Sequence, residues 1–141
     1  MTNQEVFDKV ALHLLDYYKR GKKSSINSEN HVVRCQYRKE DPDTGEILRC
    51  AVGCLIPDEI YNPTIERHTM IFLYSNLTGG LREICNHLEV EKTDRFHLLS
   101  SLQGIHDVDL KTDGSGKDIT ESLRRIAKRY SLSDEVLNGG V

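Results

Sequence analysis

The chain has 141 residues, with 19 basic side chains against 22 acidic ones and a net charge of −3. That is the size of one domain, and it lacks the strongly basic balance of a global electrostatic grip on nucleic acid. An apolar share of 38%, a charged share of 29%, 10 Gly and 3 Pro exclude a collagen-like, mucin-like or wholly disordered chain.

The first predicted element is an amphipathic helix. Val6, Phe7, Val10, Ala11, Leu14, Leu15 and Tyr18 recur at steps of three and four. Thr2 and Glu5 have the spacing of a capping box, and Gly21 ends the helix ahead of a polar loop over 22–30. The opening Thr2-Asn3-Gln4-Glu5 is polar and acidic, so no signal peptide is expected. No run approaches the roughly 18 apolar residues of a membrane span. A reducing cytoplasm is the expected setting, with Cys35, Cys50, Cys54 and Cys85 as core thiols.

Two β-like runs follow, 31–38 and 47–56, separated by the turn formers of Lys39 to Glu46. They predict one antiparallel hairpin turning at Pro42-Asp43. In that register Cys35 faces Cys50, Tyr37 faces Leu48 and Val33 faces Val52. Side chains alternate along strands. One face then carries Val33, Cys35, Tyr37, Leu48, Cys50, Val52 and Cys54 to the core. The other carries Arg34, Gln36, Arg38 and Arg49 beside Ala51 and Gly53. Guanidinium forks match phosphate and carboxylate geometry. Small Ala51 and Gly53 would let a ligand lie flat on the backbone. Arg34, Gln36, Arg38 and Arg49 are therefore the candidate ligand-binding residues; the competing reading is a solvated face paired with nearby acids.

Asn62-Pro63 predicts a capped short turn. The run Met70 to Tyr74 suits a strand or a buried helix segment. A short helix is predicted after Thr78-Gly79-Gly80, with Ile84, Cys85 and Leu88 inward. A second is capped by Thr93, with Phe96, Leu98, Leu99, Leu102 and Ile105 inward, and ends near His106-Asp107. After a flexible loop at Asp113 to Gly116, Asp118 caps a last helix with Ile119, Leu123, Ile126, Ala127 and Tyr130 inward. Ser133 starts a final turn, and Gly139-Gly140 closes the chain loosely. The expected architecture is a single α+β domain: a small antiparallel hairpin or sheet packed by four to five helices.

Three weaker signals point elsewhere, and a fourth fails its own test. His106-Asp107 suggests a hydrolase acting on a phosphorylated substrate, with the arginines in support. Cys35 and Cys50, with His31 or Cys54, suggest a zinc-stapled domain, although Cys50 and Cys54 lie too far apart along a strand for one metal. Arg124, Arg125, Lys128 and Arg129 form a basic helix face, more simply solvated than bound to nucleic acid. Gly114 to Asp118 fails as a P-loop, since Lys111 and Asp118 stand where glycine and Ser or Thr are needed. No cofactor motif is present.

Three segments carry a resemblance: Gln4 to Leu15 followed by Cys35-x-Tyr37-Arg38; Leu48-Arg49-Cys50-Ala51-Val52-Gly53-Cys54-Leu55-Ile56-Pro57-Asp58-Glu59-x-Tyr61; and Leu102-Gln103-x-Ile105-His106-Asp107. Together they resemble a group of small proteins encoded by tailed bacteriophages and prophages, over about half of the chain. This chain departs from the group in its longer acidic hairpin turn and in Cys54, where alanine is the group's residue. The group has no established activity to carry over. The resemblance implies a phage accessory protein in the bacterial host cytoplasm, one that counters host defence or regulation. The expected function is thus a non-enzymatic binding protein that holds a small anionic, nucleotide-like ligand or a host protein, with a homo-oligomer as a reasonable assembly.

Overall fold

The computed structural model describes residues 1–27, 33–66, 81–110 and 118–138, with backbone only at 26, 27 and 33–35. The readings of His31, of Met70 to Tyr74, of Thr78 to Gly80, of Lys111 to Lys117 and of Gly139-Gly140 lie outside the described residues, as do the side chains of Arg34 and Cys35.

Helix α1 spans Asn3–Arg20. The Thr2 hydroxyl accepts from Glu5 N at 3.1 Å, and the Glu5 carboxylate accepts from Thr2 N at 3.2 Å, which completes the predicted capping box. Gly21, at φ 64°, ends the helix in the left-handed region that glycine enters without strain. Val6, Phe7, Val10, Ala11, Leu14 and Leu15 are buried as predicted. Burying Phe7 or Leu14 completely contributes about 1.5–3 kcal/mol each. Tyr17 rather than Tyr18 finishes the stripe, because its hydroxyl has a backbone partner inside.

The strands form two separate antiparallel ribbons, not one hairpin. β1 (Ser25–Asn27) pairs with β2 (Val33–Cys35), and β3 (Arg38–Glu40) pairs with β4 (Ile47–Arg49). Cys35 thus opposes Ser25, not Cys50, and Arg38 opposes Arg49. The predicted long strand breaks at Gln36. Its N–H donates to Ser24 O at 3.0 Å, and its carbonyl accepts from the Ser24 hydroxyl at 2.6 Å. The predicted polar loop after α1 thereby contains a strand.

Beyond Arg49 the chain leaves the sheet. Cys50 to Ile56 coils through a turn and a 3-10 turn at Gly53–Leu55. Tyr37, Leu48, Cys50 and Val52 are buried as expected, but so are Ala51 and Gly53. A Cβ on Gly53 would stand 2.1 Å from the Tyr37 carbonyl oxygen. The small residues make room for the protein's own backbone, not for a ligand.

Asn62 caps a 3-10 turn at Pro63–Ile65 through its side-chain carbonyl, which accepts from Thr64 N. Helix α2 spans Arg82–Leu88 and buries Ile84, Cys85 and Leu88. Helix α3 spans Thr93–Gly104, so Thr93 is its first residue and Lys92, which makes no side-chain cap, stands at the capping position. The helix continues as a π-helical turn at Ile105–Asp109, with Leu110 N bonded to Ile105 O at 2.9 Å. Phe96 is only half-buried; Arg95 goes in instead. Its guanidinium donates to Asn3 Oδ1 at 2.7 Å, Met1 O at 2.6 Å and Leu88 O at 3.2 Å, so the charge is satisfied while buried. Helix α4 spans Ile119–Arg129 behind its Asp118 cap, and a 3-10 turn at Glu135–Leu137 follows.

α1 lies at the centre, against α3, α4 and the turns at 53–55 and 135–137. The fold is α+β, with four α-helices and two small ribbons among the described residues.

Candidate functional site

Lys9 and His13 are one turn apart on α1 and share a face. His13 and Tyr17, the next turn on, take both backbone groups of Arg49. The Tyr17 hydroxyl accepts from Arg49 N at 2.8 Å, and His13 Nε2–H donates to Arg49 O at 2.7 Å. The two rings lie 4.2 Å apart. This double grip seats the end of β4 beside α1. It opens a cleft of about 390 Å³ between Lys9 and His13 on one wall and Arg49 on another. Cys54, Ile56 and Pro57 form its less polar lining, and Asp58 and Glu59 its acidic edge.

The electrostatics of the cleft follow from burial and neighbours. Burial holds the His13 imidazole below its usual pKa, partly offset by the Arg49 carbonyl. Neutral His13 spends its one proton on Arg49 O, which leaves Nδ1 as an acceptor. Burial pushes the Cys54 thiol up to about 12, against the pull of nearby Lys9 and Arg49. Its S–H donates to Ala51 O at 3.1 Å. A thiol so held is a poor nucleophile and a poor metal ligand.

The predicted arginine face is divided. Arg38 and Arg49 come together across β3 and β4. Arg34 lies on β2, opposite Ile26, in the other ribbon. Gln36 is half-buried, joins the two ribbons through its backbone and does not line the cleft. Like charges directly opposed in a sheet repel, and here one carboxylate oxygen answers both. Asp58 Oδ1 is 2.7 Å from Arg38 Nη1 and 3.5 Å from Arg49 Nη2. Arg38 is further fixed by Ile56 O, which accepts at 2.8 Å, and by the Tyr61 ring, 4.2 Å from the guanidinium carbon. Its buried Nε has no partner among the described residues. Among those residues the Arg49 guanidinium has only long contacts, to Asp58 and to Ile47 O, both at 3.5 Å.

Behind Arg38, the Glu66 carboxylate accepts from Tyr37 N at 2.8 Å, from Arg38 N at 3.1 Å and, in a short bond, from the Tyr61 hydroxyl. Burial and the adjacent carboxylate raise the Tyr61 pKa and keep it a donor.

His106 lies apart from this cleft and is fully buried. Its Nε2 accepts from Ser24 N at 3.2 Å, so Nδ1 carries the proton and donates to Asp107 Oδ1 at 2.9 Å. Gln103 completes the knot. Its amide donates to the same Asp107 oxygen at 2.8 Å, and its carbonyl accepts from Val52 N at 3.1 Å. Both His106 nitrogens are occupied and the ring is buried, with the partly exposed Asp107 beside it. The zinc reading loses its facing pair, since Cys35 and Cys50 are not cross-strand partners. Cys50 Sγ instead accepts from Gly53 N at 3.3 Å in the core. Among the described residues no three His, Cys, Asp or Glu side chains are placed to hold a metal ion.

Sequence reasoning missed Lys9, His13, Asp58 and Glu59 as lining residues. The signal for Lys9 and His13 was their four-residue spacing on the polar side of a well-marked helix. Asp58 had none beyond its place after Pro57, since its role depends on where Arg38 and Arg49 end up.

No family model, no curated protein and no solved structure matches this chain. Among the described residues no helix is long and apolar enough to cross a membrane.

Proposed function

We propose that this chain is a non-enzymatic binding protein that holds a small anionic, nucleotide-like ligand in the cleft between α1 and the segment Arg49 to Glu59. One observation carries the reading. Two cations, Lys9 and Arg49, border a cleft of about 390 Å³, and among the described residues the Arg49 guanidinium makes only long contacts. That volume suits a small molecule. Arg49 and Lys9 are the groups for a phosphate. His13 Nδ1 is an acceptor for a ligand donor, and Ile56-Pro57 offers an apolar surface for a ring. The Cys54 thiol, held protonated by burial, is a poor nucleophile. The resemblance adds a phage origin and action in the host cytoplasm against a defence or regulatory pathway; a homo-oligomer belongs to the same proposal.

Ligand-observed NMR with AMP, GMP and ADP on the purified protein tests this reading. Binding is expected, with Arg49→Ala and Lys9→Ala each weakening it about tenfold, the loss of one charge-assisted contact. Absence of binding by all three nucleotides, or unchanged affinity in both variants, overturns it.

A further inference from the structure

The site in the free protein already contains an anion. Arg38 and Arg49 are register partners across the ribbon, and the Asp58 carboxylate is the only acidic group bonded to either guanidinium among the described residues. The two arms differ. The Arg38 arm is 2.7 Å long, and that side chain is 14% exposed and further held by Ile56 O and Tyr61. The Arg49 arm is 3.5 Å long, between a side chain 34% exposed and a carboxylate 73% exposed. Both arms end on Oδ1, so Asp58 does not close a two-oxygen fork on either arginine. The bidentate mode that guanidinium favours for oxyanions is unused at Arg49.

We propose that Asp58 is an exchangeable counter-ion built into the cleft: it neutralises the arginine pair in the free protein, and a phosphate group takes its place on Arg49 while Asp58 stays with Arg38. This rests on the reading that the cleft receives an anion, and deepens it by naming the residue that sets how tightly. The exchange breaks only the long arm and relieves Arg49 of a shared oxygen. Nothing else bonded to Arg38 has to move. The carboxylate that remains near the bound phosphate opposes it, so affinity is held below what two arginines alone would give.

The probe is inorganic pyrophosphate, titrated by calorimetry and by Arg side-chain NMR into wild type, Asp58→Asn, Glu59→Gln and Asp58→Asn/Arg49→Ala. Asp58→Asn keeps an Oδ1 acceptor for Arg38 and removes the charge, so the fold is retained. Asp58→Asn is expected to bind about fivefold tighter than wild type, the factor equivalent to the ~1 kcal/mol of an exposed ion pair. The double variant should lose that gain. Glu59→Gln, with no bond to either arginine among the described residues, should change affinity less than about twofold. Equal affinity of Asp58→Asn and wild type overturns the exchange. Equal tightening in Asp58→Asn and Glu59→Gln also overturns it, because bulk charge would then explain both. Binding by Asp58→Asn alone supports the exchange while removing the reading of the wild type as an anion receptor. Binding by neither variant nor wild type removes both.

Discussion

Two polar clusters in this protein look alike in composition and differ in what they can do. The first, around Ser24, Gln103, His106 and Asp107, has the residue types of a hydrolytic centre. Among the described residues its hydrogen bonds run to backbone or from one member to another, and His106 has no exposed surface. The second, around Lys9, His13, Arg49 and Asp58, is made of ordinary surface residues. It borders a cleft, and its Arg49 guanidinium is only loosely matched among the described residues. A buried polar network must satisfy its own members, and here doing so consumes its chemistry. The cluster left with hydrogen-bonding capacity to offer is the plainer one.

Mutation can break or sharpen that contrast. The largest effect is expected at Gly53, which links the two clusters by letting the 50–56 coil cross Tyr37. Gly53→Ala drives a methyl to 2.1 Å from a backbone oxygen that has no rotamer to yield. A loss of about 3 kcal/mol or failure to fold is expected in thermal denaturation. Next is His106→Ala, which leaves the Ser24 N–H without its acceptor in the interior. Stability should fall by about 2 kcal/mol, with nucleotide affinity unchanged. A variant that stayed stable but lost binding would erase the contrast. Tyr17→Phe removes the acceptor for Arg49 N–H. It should cost about 1 kcal/mol, with a measurable weakening of binding because Arg49 loses its seat.

The smallest effect is a pH dependence. His13 has its pKa lowered by burial, so below the usual imidazole value of 6.5 the unfolded chain takes up a proton more readily than the folded one. The neutral-His13 contribution to stability should be complete above pH 6.5. It should fade as pH drops from there through the lowered folded value. His13→Gln, which can still donate to Arg49 O, should flatten that part of the curve of melting temperature against pH. An identical slope in wild type and variant would assign the pH response elsewhere.

Local signals were legible in the sequence, and non-local ones were not. The Thr2–Glu5 box, the Asn62 and Asp118 caps and the apolar stripe of α1 depend on residues a few positions apart, and each appears where expected. The single long hairpin failed because what ends it is distant. Ser24 takes the backbone of Gln36, and Glu66 takes the N–H groups of Tyr37 and Arg38. A short apolar run has no periodicity to separate strand from buried coil. Cys50 to Ile56 therefore read as strand, although Gly53 was needed against Tyr37. Of the arginine face, the pairing of Arg38 with Arg49 was within reach of alternation. The carboxylate that binds both was not, because Asp58 lies in a loop whose path only the folded coil determines.

Arg95 and Gln4 give the fold a consequence for its synthesis. Arg95 clamps Met1 O and Asn3, while Gln4 exchanges two hydrogen bonds with the backbone of Ser133, at 3.0 and 2.8 Å. Helix α1, made early on the ribosome, thus finds its partners in segments made much later. Its apolar stripe meets the turn at 53–55 first and is not fully covered until α3, α4 and the turn at Glu135–Leu137 have emerged. Contacts of such sequence separation form late and leave the waiting helix exposed. An arrested nascent chain ending before residue 118 should therefore hold α1 accessible to chaperones, and release past residue 138 should bury it in one step.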